Sequence, residues 1–313
     1  MTTATAPTAT TTMASSQRPK APLNVGRIFS WIMLVLFVIV SVFPVYYVLK
    51  TALTGHKVIA ETASQVLPGD PTMFNFARVV GLVTPEQAEA VGAKSSSANF
   101  LLALRNSVIF VAITVFGQIF FSAMAAYAFA RLRFPGRDFL FFLILSALMI
   151  PGIVLFIPNF ILIKDLGWLN TFQGMVAPYV LATPFAIFFL RQFFLSVPVE
   201  LEEAAKLDGA SPAFIFWRIV LPLARGPIAT LGILTSINMW NEYLWPYLIN
   251  SGANENLRVL TVVLQQFKAN QPSGPPDWTG LMAGTFISII PVFLLLVFFG
   301  KQVVESLQFS GGK

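Results

Sequence analysis

Long apolar stretches, separated by short polar segments, dominate this chain. A membrane-spanning helix needs about 20 mostly apolar residues. Five stretches without Asp, Glu, Lys or Arg are long enough to span a bilayer, and a sixth contains one acid, Glu242. The pattern predicts six transmembrane helices, near residues 28–50, 106–130, 139–163, 171–194, 226–248 and 279–301.

The composition agrees with a membrane protein. Of the 313 residues, 56% are hydrophobic and 11% are charged, whereas a soluble domain has about 45–50% apolar and about 25% charged residues. The sequence therefore predicts an all-α integral membrane protein. It has no Cys and one His, which argues against thiolate or His-cluster metal sites and against Cys- or His-based catalysis. We expect no catalytic residues and no metal site.

The distribution of basic residues predicts the orientation. If both termini are cytoplasmic, the inside segments carry twelve basic and six acidic residues, and the rest of the chain carries eight of each. Cytoplasmic loops are the ones enriched in Lys and Arg, so we predict cytoplasmic termini. The Thr- and Ala-rich residues 1–27 are expected to be a disordered tail, residues 28–303 a single membrane domain, and residues 304–313 a second cytoplasmic tail.

The inside loop at residues 196–225 carries strong helix signals. Ser196 and Pro198 suit a helix start, three acids follow, and Gly209 suits a left-handed stop. Ser211 and the following proline repeat the start signal, which predicts a second short helix over residues 213–221. Two interpretations stay open: a docking surface for a cytoplasmic partner, or an amphipathic connector on the lipid headgroups, whose polar face would more usually be basic.

A spaced set of residues in this loop resembles the EAA motif of binding-protein-dependent ABC transporter permeases, the MetI-like family. The set comprises Glu203, Ala204, Ala205, Gly209, Ile219, Leu221 and Pro222. The segment at residues 126–136 and the pair Asn106-Ser107 are similar to permeases of the maltose-transporter type, the MalG-like branch of the carbohydrate importers. The resemblance extends from about residue 25 to the C-terminus.

The resemblance implies a function and a set of partners. Such a permease imports a sugar, in the di- or oligosaccharide class, across a bacterial or archaeal cytoplasmic membrane. It pairs with a second homologous permease as a heterodimer, binds two cytoplasmic ATPase subunits, and receives solute from an extracytoplasmic solute-binding protein. The residues implied to couple to the ATPase are Glu203, Ala204, Ala205, Asp208, Gly209, Ile219, Leu221 and Pro222, with a C-terminal contact at Gly311, Gly312 and Lys313.

This chain lacks the phosphate-binding loop that ATP hydrolysis would need. Residues 92–95 are the nearest approach to Gly-x-x-x-x-Gly-Lys-Ser/Thr, and they lack its spacing. We therefore expect no cofactor in this chain, with ATP and Mg on the partner ATPase, and no enzymatic activity of its own.

Polar residues within span five are candidates for the substrate pathway. Asn238, Asn241, Glu242 and Trp245 stand at i, i+3, i+4 and i+7, so a continuous helix would place them on one face. Amides and an indole suit sugar hydroxyls and rings. The alternative is that the same residues pack against a neighbouring helix.

The loop between spans five and six is the second candidate region. In the family that this chain resembles, the corresponding loop meets the binding protein. The residues implied to face it are Asn254, Glu255, Asn256, Leu257 and Arg258. The alternative is an ordinary solvated loop.

Three other functions stay open. An importer for a polyol or a glycerol-phosphate-type solute would look alike, although the spans lack an Arg or Lys cluster for a phosphate. An ion-coupled secondary transporter would need intramembrane acids and an inverted repeat, and the sequence offers only Glu242 and no evident repeat. A membrane scaffold that recruits a cytoplasmic protein is the third.

Overall fold

The structure, a computed structural model, describes residues 25–93, 99–250, 254–269 and 276–308, and the regular elements in these ranges are helices. The described residues divide into two compact units between Tyr46 and Tyr47. The α-helices are α1 Val25–Leu53, α2 Ile59–Thr62, α3 Phe74–Val79, α4 Pro85–Ala90, α5 Phe100–Arg131, α6 Arg137–Ser146, α7 Phe156–Asp165, α8 Phe172–Val180, α9 Pro184–Ser196, α10 Val199–Leu207, α11 Pro212–Ile215, α12 Leu221–Leu223, α13 Arg225–Trp240, α14 Leu244–Ile249, α15 Leu260–Ala269 and α16 Trp278–Gln308.

Short 3-10 and π-helical turns connect some of these helices. The 3-10 turns are His56–Val58, Ala147–Met149, Gly152–Leu155 and Glu255–Leu257, and a π-helical turn, Phe216–Val220, joins α11 to α12. In the part of the chain that the structure describes, three helices are long and apolar enough to cross a membrane, and the number rises to six if each of three bent helix pairs forms one span. The first 24 and the last five residues, which include most of the predicted N-terminal tail and half of the predicted C-terminal tail, lie outside the described residues.

The prediction of one continuous helix at residues 139–163 is wrong. The chain bends by 95° between the segments Arg137–Met149 and Gly152–Asp165. Ile150 at the bend is extended, with φ −84° and ψ 115°. The cause is Pro151, because a proline disfavours the helical conformation in the residue before it. The predicted third span therefore consists of two helical segments rather than one helix.

The predicted fifth span, 226–248, is also interrupted. Helix α13 ends at Trp240 and α14 begins at Leu244. Pro246 has no N–H to donate to the carbonyl of Glu242. That carbonyl instead accepts a hydrogen bond from Thr261 Oγ1 at 2.8 Å, so a residue of α15 replaces the missing helical partner.

Helix α5 lies at the centre of the unit formed by residues 47–313. Its buried residues contribute to three hydrophobic clusters, which also include side chains of α8, α9, α13 and α16. The packing is close at Gly117, where an added Cβ would lie 2.4 Å from Cγ2 of Val180. Gln118 Nε2 donates to Thr183 Oγ1 at 2.9 Å, a polar contact between α5 and the N-terminal cap of α9.

A buried ion pair joins the segment after α1 to the start of α16. Arg78 on α3 and Asp277 are each 3% exposed. Arg78 Nη1 contacts Asp277 Oδ2, and Nη2 donates to Oδ1 at 3.0 Å. Asp277 Oδ1 also accepts from the backbone N–H of Gly280 at 2.9 Å. Burial raises the pKa of Asp277, but the hydrogen bond and charge of Arg78 outweigh it, so the net pKa lies below its usual value.

The Asp277→Asn variant tests whether this ion pair stabilises the protein. It removes the carboxylate charge that faces the buried Arg78 guanidinium, and breaking a buried ion pair in this way typically destabilises a protein by about 3–5 kcal/mol. We expect a lower thermal unfolding midpoint in detergent, whereas Asp165→Asn, at an exposed position, should leave the midpoint unchanged. Equal midpoints for Asp277→Asn and the wild type would contradict a stabilising role for the pair.

Candidate functional site

The segment at residues 199–223 forms a helical hairpin, which we call the coupling hairpin. Helix α10 ends at Leu207, and Gly209 follows with φ +81°. The N–H of Ala210 reaches the carbonyl of Ala205 at 2.9 Å, as in a glycine-terminated helix. Ser211 then caps α11, its Oγ accepting from Phe214 N at 3.2 Å. The predicted short helix, glycine bend and second helix are confirmed.

One detail of that prediction is wrong. Ser196 does not cap α10, because it is the last residue of α9 and its hydroxyl donates to the carbonyl of Phe193 at 2.7 Å. Pro198 precedes α10 as its N-cap residue and makes no side-chain capping hydrogen bond. The connection between α9 and α10 is therefore too short to form a separate loop.

The implied coupling residues divide into an exposed set and an inward set. The inward residues are half-buried and pack on the cluster formed by α5, α9 and the hairpin; they are Ala205, Ile219 and Leu221. The exposed residues form the outer face of α10 and the bend, with Pro222 further along; they are Glu203, Ala204, Asp208, Gly209 and Pro222. Leu207, at the end of α10, is 89% exposed.

The exposed face of α10 is acidic around an apolar tip. Glu200, Glu203 and Asp208 are exposed, and Lys206 is the one exposed base of the helix. Within the described ranges Glu203 makes no ion pair, so its carboxylate is available to a basic partner group. The small side chain of Ala204 and the backbone of Gly209 allow another backbone to come close.

A buried ion pair beneath this face was missed by the sequence analysis. Arg131, the last residue of α5, lies with its Nε 2.8 Å from Oε1 of Glu202 on α10. The Glu202 side chain is 3% exposed and that of Arg131 is 8% exposed. The sequence showed Glu202 as one of three acids near a helix N-terminus, and nothing in the spacing separated the inward acid from its exposed neighbours.

The candidate binding-protein loop is tied to the start of α5. Asn106 Nδ2 donates to the carbonyls of Asn256 and Arg258, at 2.7 and 3.1 Å. Ser107 Oγ accepts from Leu260 N at 2.8 Å, at the first residue of α15. The pair Asn106-Ser107 therefore positions residues 256–260.

The loop itself exposes only part of its surface. Glu255 and Asn256 are exposed, while Asn254, Leu257 and Arg258 are half-buried. Arg258 Nη1 lies 2.9 Å from Glu255 Oε1. The sequence analysis missed α15, which follows directly and makes this region a structured element rather than a plain loop.

The predicted polar face of span five does not form. Because α13 ends at Trp240, the four residues do not lie on one continuous helix. Trp245 is 2% exposed, donates from Nε1 to the carbonyl of Gly174 at 3.1 Å, and packs edge-on against Phe156. It is a core residue, so the prediction that it faces the pathway is wrong. Asn238 and Asn241 are exposed and Glu242 is half-buried.

The remaining implied contact, Gly311, Gly312 and Lys313, lies outside the described residues. Its position relative to the coupling hairpin stays a prediction from the sequence.

Comparisons with known proteins identify the family. Residues 118–308 match the family described as "Binding-protein-dependent transport system inner membrane component". The chain is 32% identical to the sn-glycerol-3-phosphate transport system permease protein UgpE of Yersinia enterocolitica, covering 89% of this chain and 96% of that protein. It is 34% identical to UgpE of Salmonella typhi, covering 90% and 95%. This chain therefore belongs to the family of binding-protein-dependent inner-membrane permeases.

A solved structure shows the same fold. The chain resembles a subunit in the crystal structure of a bacterial ABC transporter involved in the import of the acidic polysaccharide alginate, with a TM-score of 0.75 and 23% identity, covering 88% of this chain and 96% of that one. The family match and this shared fold together confirm the resemblance to MetI-like importer permeases, and the protein is an inner-membrane permease component. The secondary-transporter and scaffold alternatives are set aside.

Reversing the charge at Glu203 tests the exposed face of α10. In Glu203→Lys the face would repel a basic partner, while no ion pair within the described residues is lost. We expect normal membrane insertion and loss of transport. The matched control is Asp165→Lys, which makes the same charge change at an exposed position outside the hairpin and should leave uptake unchanged. Normal solute uptake by Glu203→Lys would contradict the role assigned to this carboxylate.

Proposed function

We propose that this chain is one of two permeases in an ATP-driven importer for a saccharide of the di- or oligosaccharide class. The observation that carries this proposal is the coupling hairpin, a capped pair of short helices whose outer face is exposed and acidic. ATP and Mg would be held by separate cytoplasmic ATPase subunits that dock on this face. A solute-binding protein would deliver the saccharide on the other side of the membrane.

Two observations support pairing with a second permease, which we propose to be a different chain: polar groups of α5 and α9 are satisfied by each other, and a groove beside α5 is apolar. Gln118 donates to Thr183 Oγ1, and the backbone N–H of Thr183 donates to Ser122 Oγ at 3.3 Å. The groove between α5, α13 and the hairpin, about 470 Å³ in volume, is lined almost entirely by apolar side chains such as Phe116, Phe120 and Trp217. A passage for a polar solute needs additional polar groups, which a partner permease would supply.

The amides on α13 support an uncharged polyhydroxylated solute. Asn238 and Asn241 are exposed near the end of this helix, and between Gly226 and Trp240 the helix carries no charged residue. Amide groups can both donate to and accept from hydroxyl groups. Asn241 already donates one N–H to the carbonyl of Ile237 at 2.7 Å, which leaves its oxygen and one N–H for a ligand.

A glycerol-phosphate-type solute is the second candidate. It is favoured by the named substrate of the relatives, sn-glycerol 3-phosphate. The geometry gives it less support, because a phosphate is usually held by Arg or Lys and α13 carries no charged residue between Gly226 and Trp240, the part of the helix next to the two exposed amides. In such an importer the second permease or the binding protein would supply the cationic groups.

The loop at residues 254–258 would meet the binding protein. Its exposed residues, Glu255 and Asn256, are held in place by the hydrogen bonds from Asn106. Binding-protein docking on one side and ATP binding on the other would each shift the permease pair between inward-facing and outward-facing states, each by its difference in affinity for the two states.

Purification and uptake test the proposal together. We expect this chain, solubilised mildly from its native membrane, to copurify with an ATPase, a second permease and a binding protein. Uptake of a labelled oligosaccharide by the reconstituted complex should require ATP and should not be reduced by excess sn-glycerol 3-phosphate. Competition by sn-glycerol 3-phosphate would favour the second candidate, and isolation of the chain without an ATPase under several detergents would overturn both.

A further inference from the structure

Three polar contacts of Arg131 converge at the end of α5. Its Nε lies 2.8 Å from Glu202 Oε1 on α10. Its Nη2 donates to the carbonyl of Phe194 at 2.6 Å and to that of Val197 at 2.5 Å. The two carbonyls belong to the last turn of α9 and to the link that follows it. One guanidinium therefore contacts α9, the α9–α10 link and α10 at once.

The contact with Glu202 acts through charge more than through an aligned hydrogen bond. Neither Arg131 Nε nor Glu202 Oε1 has a hydrogen-bond partner of normal geometry, although the two atoms are in contact. A buried ion pair contributes little net stability compared with apolar side chains of the same volume. Stability alone therefore gives no strong reason for an Arg and a Glu at these positions, whereas fixing an orientation does.

The planar guanidinium is suited to fixing an orientation. It presents several donors in a rigid arrangement, unlike the flexible ammonium of Lys. The side chains that α10 and the bend after it contribute to the apolar cluster containing Phe194 and Ala130 are small, namely Ala205 and Ala210. Small apolar contacts resist sliding weakly, so the position of α10 relative to α5 depends on Arg131.

We propose that Arg131 is a positioning residue that makes α10 move as one rigid body with α5 and α9. A displacement of α10 by the ATPase would then move these two spans, instead of tilting α10 on its short links. At its other end α5 holds the candidate binding-protein loop through Asn106 and Ser107, so the same body reaches both partners. This inference rests on the proposed coupling function of the hairpin.

The first test compares Arg131→Gln with the matched control Arg133→Gln. Both remove one positive charge, and Arg133 is exposed two residues away. In reconstituted complexes of equal subunit composition, we expect Arg131→Gln to keep ATP hydrolysis and to lower solute transported per ATP by about three- to thirtyfold, the range for loss of a coupling contact. Arg131→Lys, which keeps the charge without the fork, should recover part of this ratio.

The second test measures the proposed rigidity directly. The chain contains no Cys, so spin labels can be placed at Val199→Cys on α10 and Met124→Cys on α5, both at exposed positions. We expect a narrow distance distribution that does not change between nucleotide-free and ATP-bound complexes. In the Arg131→Gln background the distribution should broaden.

Two outcomes would overturn the inference. One is a wild-type distance that changes on ATP binding, because α10 and α5 would then not form one body. The other is an Arg131→Gln complex with unchanged distances and an unchanged transport-to-ATP ratio. The distances can also be measured in this chain without its partners, so failure of the proposed importer function would be recognised separately, by the absence of a copurifying ATPase.

Discussion

A charge removed from water must meet an opposite charge or several hydrogen bonds, and this constraint organises the parts of the chain that join its spans. Arg78 and Asp277 connect α3 to the start of α16. Arg131 and Glu202 connect α5 to α10. Because losing one partner would leave the other charge buried and uncompensated, each pair fixes the position of a segment that apolar contacts would hold less specifically.

The breaks in the spans follow a related constraint on the backbone. Inside a bilayer every N–H and C=O group needs a partner within the protein. Pro151 and Pro246 each remove one N–H, and the chain responds differently at the two places. At Ile150 the chain bends and a new helix begins. At Glu242 the hydroxyl of Thr261 donates a hydrogen bond to the carbonyl that has no helical N–H partner. The second solution ties the end of span five to α15.

Helix α5 connects the two regions of the chain that are proposed to bind partners during transport. Its first turns hold residues 256–260 through Asn106 and Ser107, and its last residue holds α10. A 32-residue helix without an internal proline is a stiff connection between the two regions where partners of a binding-protein-dependent permease are proposed to dock. The division of the EAA residues fits this arrangement, since Ala205, Ile219 and Leu221 face the body of the protein while Glu203, Ala204 and Gly209 face away.

The sequence by itself determined the class of the protein. Hydrophobic length predicts spans because about 20 apolar residues are needed to cross a bilayer, and local capping signals such as Ser211 and Gly209 predict the hairpin because they act within one helical turn. Tertiary structure decided which side chains meet. Glu202 points inward, Trp245 is buried, and Asn106 binds carbonyl groups about 150 residues away. Each of these contacts depends on which residues meet in space, and a single sequence does not give the distances between residues that are far apart in the chain. That is why the EAA residues could be named from the sequence, whereas the Arg131 contact beneath them could not.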